Sequence, residues 1–385
     1  MPTAEQVPVR DGLGRVTAAP VRARWPIPRS ACAAMDGIAI SAGSAPEPAD
    51  ATGQWQLSAG TFTCVDTGDP IPPGRDTVVE RERVERGAGG SVWVTGPAPR
   101  GLHVRGKGED FKDGQLLLPA GHRLRPQDLA AAAAGGHAVL EVARRPVAAI
   151  IPTGDEIRPV GSPLQPGDIT DSNSLMLASR AAELGAHPLI GGVQPDDPNA
   201  IAAEVRQAAL AADLVLVIAG SSAGRRDHTA AVLTLAGGVA VRGVAVRPGH
   251  PVLLGYAIPG PERAGATPVP VIGVPGYPIA AAVIFELFAL PLLCALQGRR
   301  LPDRAWQRAQ LSCDWTSSAD VEDWVPVWLA PGPLDGTVLA TPGRRGAGSV
   351  SRLIRAHAWW PVPVGEAKFT RGEQIAVLPI PGAPR

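Results

Sequence analysis

Between about residues 147 and 296 the chain alternates unbroken apolar runs with segments of helical length. Val147–Ile151, Leu214–Ile218 and Val269–Val274 carry no polar side chain. Short runs of this kind, without period-two alternation, read as strands buried on both faces, the pattern of a parallel sheet. Helices are expected near Ser174–Leu184, with Asp171, Ser172 or Asn173 as cap, at Pro198–Ala211, after Asp227 and after Pro278. A further strand is expected near Pro188–Ile190. Strands alternating with helices of this length imply an α/β domain with a doubly wound parallel sheet.

The flanks read differently. From Trp25 to about Pro119, short apolar runs such as Thr77–Val79, Ser91–Val94 and Gln115–Leu118 are broken by glycine and proline, which predicts a β-rich unit. An alanine patch at Ala130–Ala134, introduced by Pro126 and ended by Gly135-Gly136, predicts a helix. Gln297–Arg304 reads as a linker, and the tail returns to short strands at Val325–Trp328, Thr337–Ala340 and Ile375–Ile380. The expected multi-domain organisation is an N-terminal region with an inserted β-rich domain (1–142), an α/β domain (143–300) and a small β-rich C-terminal domain (301–385). The run Ile279–Leu296 is long enough to raise the membrane question, but Glu286 and Pro291 favour a buried helix. Trp315, Trp324, Trp328, Trp359 and Trp360 fit a domain core or an interface better than a cofactor stack.

Composition narrows the function. The 385 residues hold 36 acidic and 36 basic side chains, which gives no support to a nucleic-acid or membrane-surface partner from bulk charge. The only lysines are Lys107, Lys112 and Lys368, and the arginine-, alanine-, glycine- and proline-rich balance fits a GC-rich genome. Cys32, Cys64, Cys294 and Cys313 are scattered without C-x-x-C spacing, which fits a reducing cytoplasm. No basic segment followed by an apolar stretch opens the chain, so no signal peptide is expected.

The candidate chemistry lies in four loops: Ile151-Pro152-Thr153-Gly154-Asp155-Glu156, Gly220-Ser221-Ser222-Ala223-Gly224-Arg225-Arg226-Asp227, Arg247-Pro248-Gly249-His250-Pro251 and Val274-Pro275-Gly276-Tyr277-Pro278. In open α/β sheets, ligands sit outside the carboxyl ends of the strands. Glycine lets backbone approach a phosphate and acids can hold a divalent cation, so the loops suggest a phosphorylated ligand with Mg²⁺. Asp155 and Glu156 are either Mg²⁺ ligands or helix-cap acids. Asp36 and Thr67 suit turn chemistry as well as a ligand contact.

With Ser30-Ala31-Cys32-Ala33-Ala34-Met35-Asp36-Gly37-Ile38-Ala39, Thr67-Gly68-Asp69-Pro70 and Val104-Arg105-Gly106-Lys107-Gly108-Glu109-Asp110 ahead of them, the loops resemble the molybdopterin molybdenumtransferases, over about residues 8–380. The corresponding family strings are S-A-M-D-G-Y-A, T-G-A-P and N-V-R-x-x-G-E-D. In that family a further helix usually stands ahead of Val7–Val21. The resemblance implies a homodimer acting on adenylylated molybdopterin and molybdate, with release of AMP. It implies catalytic roles for Asp36, Asp110 and Asp227, and substrate contacts at Thr67, Gly68, Thr153, Gly154, Ser222, Gly224, Arg226, Pro275, Gly276 and Pro278. Glu156, Asp227 and Asp155 would hold Mg²⁺, Arg247 and His250 would face molybdate, and Asp196-Asp197 match a family acid pair. His357 and Gly348-Ser349 fall where the family's tail has A-N-G and S-G.

Ala219, Arg225, His250 and Tyr277 depart from the family pattern. His250 stands where a lysine is usual and is cationic only when protonated. Tyr277 replaces an asparagine, to stack on a pterin or to pack its loop. The string Arg226-Asp227-His228-Thr229 also resembles the molybdopterin adenylyltransferases, which leaves adenylyl transfer as an alternative. A non-catalytic carrier or sensor of the cofactor is a third.

Overall fold

The computed structural model describes residues 3–45, 53–219, 225–259, 267–301, 303–332, 334, 336–343, 346 and 348–383, with backbone alone at 225–227. The chain divides into two compact units, Ala4–Ala143 and the remainder from Arg144.

The first unit is built from short antiparallel ladders. Ala4–Pro8 pairs with Val139–Ala143, and Gly37–Ile40 lies between Thr63–Val65 and Thr77–Glu80. A second three-stranded sheet joins Gln54–Leu57, Val92–Thr95 and Val84–Arg86, and the inward faces bury Ile38, Ile40, Trp55, Val79 and Val94. A Cβ at Gly37 would collide with the Val79 carbonyl, so the residue after Asp36 must be glycine for these strands to approach. The expected helix spans Pro126–Ala134, with Pro126 in its first turn and Gly135 as its C-cap.

The second unit holds the sheet that the apolar runs predict. Its order is His187–Ile190, Val147–Pro152, Leu214–Ala219, Val269–Pro275, Leu253–Ala257, Gly237–Arg242. The first four strands are parallel, and the last two join antiparallel as an edge hairpin. Successive residues serve opposite cores: Ile150, Leu214 and Leu216 pack with Leu177, Ile284 and Phe285, while Ile151, Val215 and Val217 pack with Ile201, Val205 and Leu233. Both faces are dry, which is why these strands tolerate no polar position.

Helices Asn173–Glu183, Pro198–Ala208 and Arg225–Ala236 cover the sheet. Asp171 Oδ1 accepts from the Ser174 amide and Asp197 Oδ1 from the Asn199 amide, so both acids bond helix-start donors. One helix among the described residues, Pro278–Leu296, is long and apolar enough to cross a membrane. Ile279, Val283, Ile284, Phe285 and Leu293 are instead buried in the core, and Glu286 accepts from Arg180 Nε at 2.8 Å.

The tail strands Gln307–Leu311, Glu322–Pro331, Val338–Pro342, Ala358–Val362 and Gln374–Pro379 pair in a circuit that closes on itself. The tryptophans have a packing role: Trp324, Trp359 and Trp360 are buried, and Trp360 meets Phe369 edge-on at 4.8 Å. Val246–Arg247 joins this sheet in parallel, with Arg247 in register with Asp323.

Leu216→Ala is expected to destabilise the second unit by about 2–5 kcal/mol, because the side chain is wholly buried in the middle of the sheet. Urea unfolding measures this, and a loss no larger than that of a surface substitution contradicts the packing described.

Candidate functional site

The carboxyl ends of three neighbouring parallel strands, at Pro152, Ile218-Ala219 and just past Pro275, open into a cavity of about 270 Å³. Thr153 is buried there. Its amide and hydroxyl both donate to the Ile218 carbonyl, at 3.0 Å each, so the threonine ties two strand ends together. Gly154 adopts φ +137°, and a Cβ there would lie 2.8 Å from Glu156 Oε2. The glycine therefore lets the Glu156 carboxylate fold back beside the strand end, where it lines the cavity. No helix follows this loop directly; Ile157–Arg158 pairs with Ile169–Thr170, and the next helix begins at Asn173. The helix-cap reading of Glu156 is thereby removed.

Asp155 does not line the cavity. Its Oδ1 accepts from the Asp196 amide at 3.2 Å, which fastens the 194–197 turn. Several lining residues carried no clear sequence signal: Ile157, Ile169, Thr170, Asn173 and Val350. Asn173 was legible only as a capping candidate, yet its Nδ2 donates to the Gly276 carbonyl at 2.7 Å and fixes the Pro275–Pro278 loop. Tyr277 and Pro278 also line the cavity. The tyrosine is half exposed, and a Cβ at Gly348 would sit 3.4 Å from its ring, so Gly348 leaves the room in which the ring lies.

Ser222 and Gly224 lie outside the described residues, as do the side chains of Arg226 and Asp227. Among the described residues, no three His, Cys, Asp or Glu side chains converge as a metal cage. Arg247 lines a different cavity, and its Nη2 pairs with Asp323 Oδ2 at 3.1 Å. His250 Nδ1 lies 2.7 Å from the Val244 carbonyl, which fixes the ring to its own loop. His357 Nδ1 accepts from the Leu329 amide, a packing role in the tail sheet.

In the first unit, two residues singled out 31 positions apart meet. The Thr67 amide and hydroxyl donate to Asp36 Oδ1 at 2.7 and 2.8 Å. The amide bond first, then the hydroxyl bond, hold the Asp36 carboxyl below its ordinary range; burial opposes them less strongly, and the nearby Arg81 charge adds the smallest lowering effect. Gly68 follows with φ +94°. Asp110 is exposed, and its amide donates to the Ile27 carbonyl.

Family models match three consecutive stretches: the MoeA N-terminal region (domain I and II) over 1–136, a probable molybdopterin binding domain over 149–295 and the MoeA C-terminal region (domain IV) over 308–380. A molybdopterin molybdenumtransferase of Nostoc sp. is 30% identical, with 96% of this chain and 87% of the relative covered. The chain belongs to the molybdopterin molybdenumtransferase family. Molybdopterin molybdenumtransferase 2 of Mycobacterium tuberculosis (strain ATCC 25618 / H37Rv) is 32% identical over 81% of this chain and 80% of its own. The solved molybdopterin biosynthesis moea protein from Pyrococcus horikosii superposes with a TM-score of 0.81 at 31% identity, covering 98% of this chain and 94% of that one.

Thr67→Val removes the hydroxyl donor and keeps the amide, so the Asp36 pKa is expected to rise towards, without reaching, the ordinary carboxylate value. Because the folded value is depressed, the stabilisation is present near neutral pH and is lost as pH falls through that value. Carbon-13 NMR titration of the carboxyl measures the shift, and an unmoved midpoint contradicts the assignment.

Proposed function

We propose that the chain inserts molybdenum from molybdate into adenylylated molybdopterin and releases AMP, with Mg²⁺ at the phosphates. Membership in the family makes it a transferase of molybdenum cofactor biosynthesis. The observation that carries the finer reading is the cavity at the three strand ends, with Glu156 folded into its lining by Gly154. Strand Leu214–Ala219 leads into a helix that begins at Arg225, and the unpaired amides of a helix's first turn favour an anionic group.

The donor set suits Mg²⁺ of a particular kind. This ion is commonly held by one or two carboxylates with substrate phosphates and water, so it needs no three-residue protein cage. Glu156 would supply one carboxylate, and Asp227 is proposed as the second. When bound, the ion would neutralise charge that develops as the bond to the adenylyl phosphorus breaks. Thr153 holds the strand ends in register, Asn173 holds the Gly276 turn, and Tyr277 lines one side of the cavity. Asp36, Thr67 and Asp110 are proposed as the substrate-facing residues of the first unit.

Chromatographic measurement of AMP after mixing the protein with adenylylated molybdopterin, Mg²⁺ and molybdate tests this directly. Glu156→Gln is expected to lower the Mg²⁺-dependent rate by roughly a hundredfold, the order seen when one charge-stabilising group is lost. An unchanged rate in the variant removes Glu156 from the mechanism, and no AMP from the parent protein overturns the function.

A further inference from the structure

Another cavity of the second unit, about 210 Å³ in volume, shares no lining residue with the strand-end cavity. It lies between the helices Asn173–Glu183 and Pro278–Leu296 and the tail, walled by Met176, Leu177, Phe285, Leu353, Trp359 and Leu378. Leu177, Phe285, Trp359 and Leu378 are buried members of the adjoining cores, and Trp359 is braced edge-on against Trp324 at 6.3 Å, so most of the wall is fixed by the fold. An apolar cavity of about 150 Å³ holds a benzene ring. This one has room for a ring that carries a short chain.

The remaining wall is charged. Arg180 Nε donates to Glu286 Oε1 at 2.8 Å and its Nη1 donates to Glu183 Oε2 at 2.9 Å, so one guanidinium serves two carboxylates. Arg304 donates to the Glu286 backbone carbonyl, lies over the Trp324 ring and does not line the cavity. The lining therefore carries an excess of one negative charge. The Glu183 side chain is 60% exposed and that of Glu286 only 17%, so the acids run from solvent inwards. Glu286 sits in a widened turn, Phe285–Ala289, where the Leu290 amide bonds to the Phe285 carbonyl five residues back. Pro291 supplies no amide to close an α turn on Leu287. Such π-helical turns recur at functional sites, and this one carries both an apolar wall and an acid of the cavity.

We propose that this cavity binds a small aromatic amine, its ring among the apolar walls and its ammonium group on the Glu183–Glu286 pair. A hydrogen bond from an ammonium to a carboxylate is charge-assisted and is strengthened away from water. A carboxylate of the same shape meets the excess negative charge instead, and an amine without a ring leaves the apolar wall short of contacts. The site stands apart from the insertion chemistry. Asn173 and Pro278 line the strand-end cavity, whereas Met176 and Ala282, about one turn further along the same two helices, line this one.

Calorimetric titration of the full chain with phenethylamine, phenethyl alcohol and hydrocinnamate tests charge and shape together. The amine is expected to bind about tenfold or more tightly than the carboxylate, with the alcohol between them. Glu286→Gln keeps the shape and removes a charge, so it is expected to weaken the amine by about tenfold and to leave the alcohol unmoved. Ala282→Leu is expected to fill the cavity and weaken all three, with circular dichroism to check each fold. If one variant fails to fold, the other decides together with the ratio of amine to carboxylate affinity. No binding of the amine, a carboxylate bound as tightly, or an amine affinity unmoved in the folded variants overturns the proposal. AMP release plays no part in the measurement, so its outcome is independent of the insertion reading.

Discussion

The second unit depends on burying both faces of parallel strands. Ile150 and Ile151 are neighbours in sequence, yet they pack into opposite cores, and the same holds along Leu214–Ala219. A sheet dry on both sides can expose polar backbone only at its ends and edges, so the strands must finish together. Where Pro152, Ile218 and Pro275 finish, side chains replace sheet partners. Thr153 bonds across to Ile218, Asn173 bonds to Gly276, and Glu156 turns back over Gly154. The cavity follows from how the sheet ends.

The apolar runs made this sheet legible because continuous burial leaves a continuous signature. The antiparallel hairpin at its edge was less legible, since Gly237–Arg242 is partly exposed and its pattern is weak. Loop glycines located the strand ends. The far walls, Ile169, Thr170 and Val350, come from distant segments that only the fold brings together. The meeting of Thr67 with Asp36 was likewise invisible by spacing, because an antiparallel pairing between Gly37–Ala39 and Thr63–Val65 creates it.

The residues singled out in the 247–251 and 274–278 loops are informative for the same reason. A cation in the 247–251 loop suggests an anion site from sequence; the register with Asp323 adds that Arg247, partly exposed, also pairs with a buried carboxylate. That partner lies 76 positions away, and no local motif announces it. His250 is similarly turned towards the Val244 carbonyl of its own loop. Tyr277 packs over Gly348, and its half-exposed ring lines the cavity.

The most direct measurement is reconstitution. The protein is incubated with adenylylated molybdopterin, Mg²⁺ and molybdate, and the product is passed to a molybdoenzyme stripped of its cofactor. Activity of that enzyme should return with the complete mixture and fail when the chain or molybdate is left out. An enzyme that stays inactive with every component present, while a proven insertase restores it in parallel, would contradict molybdenum insertion by this chain.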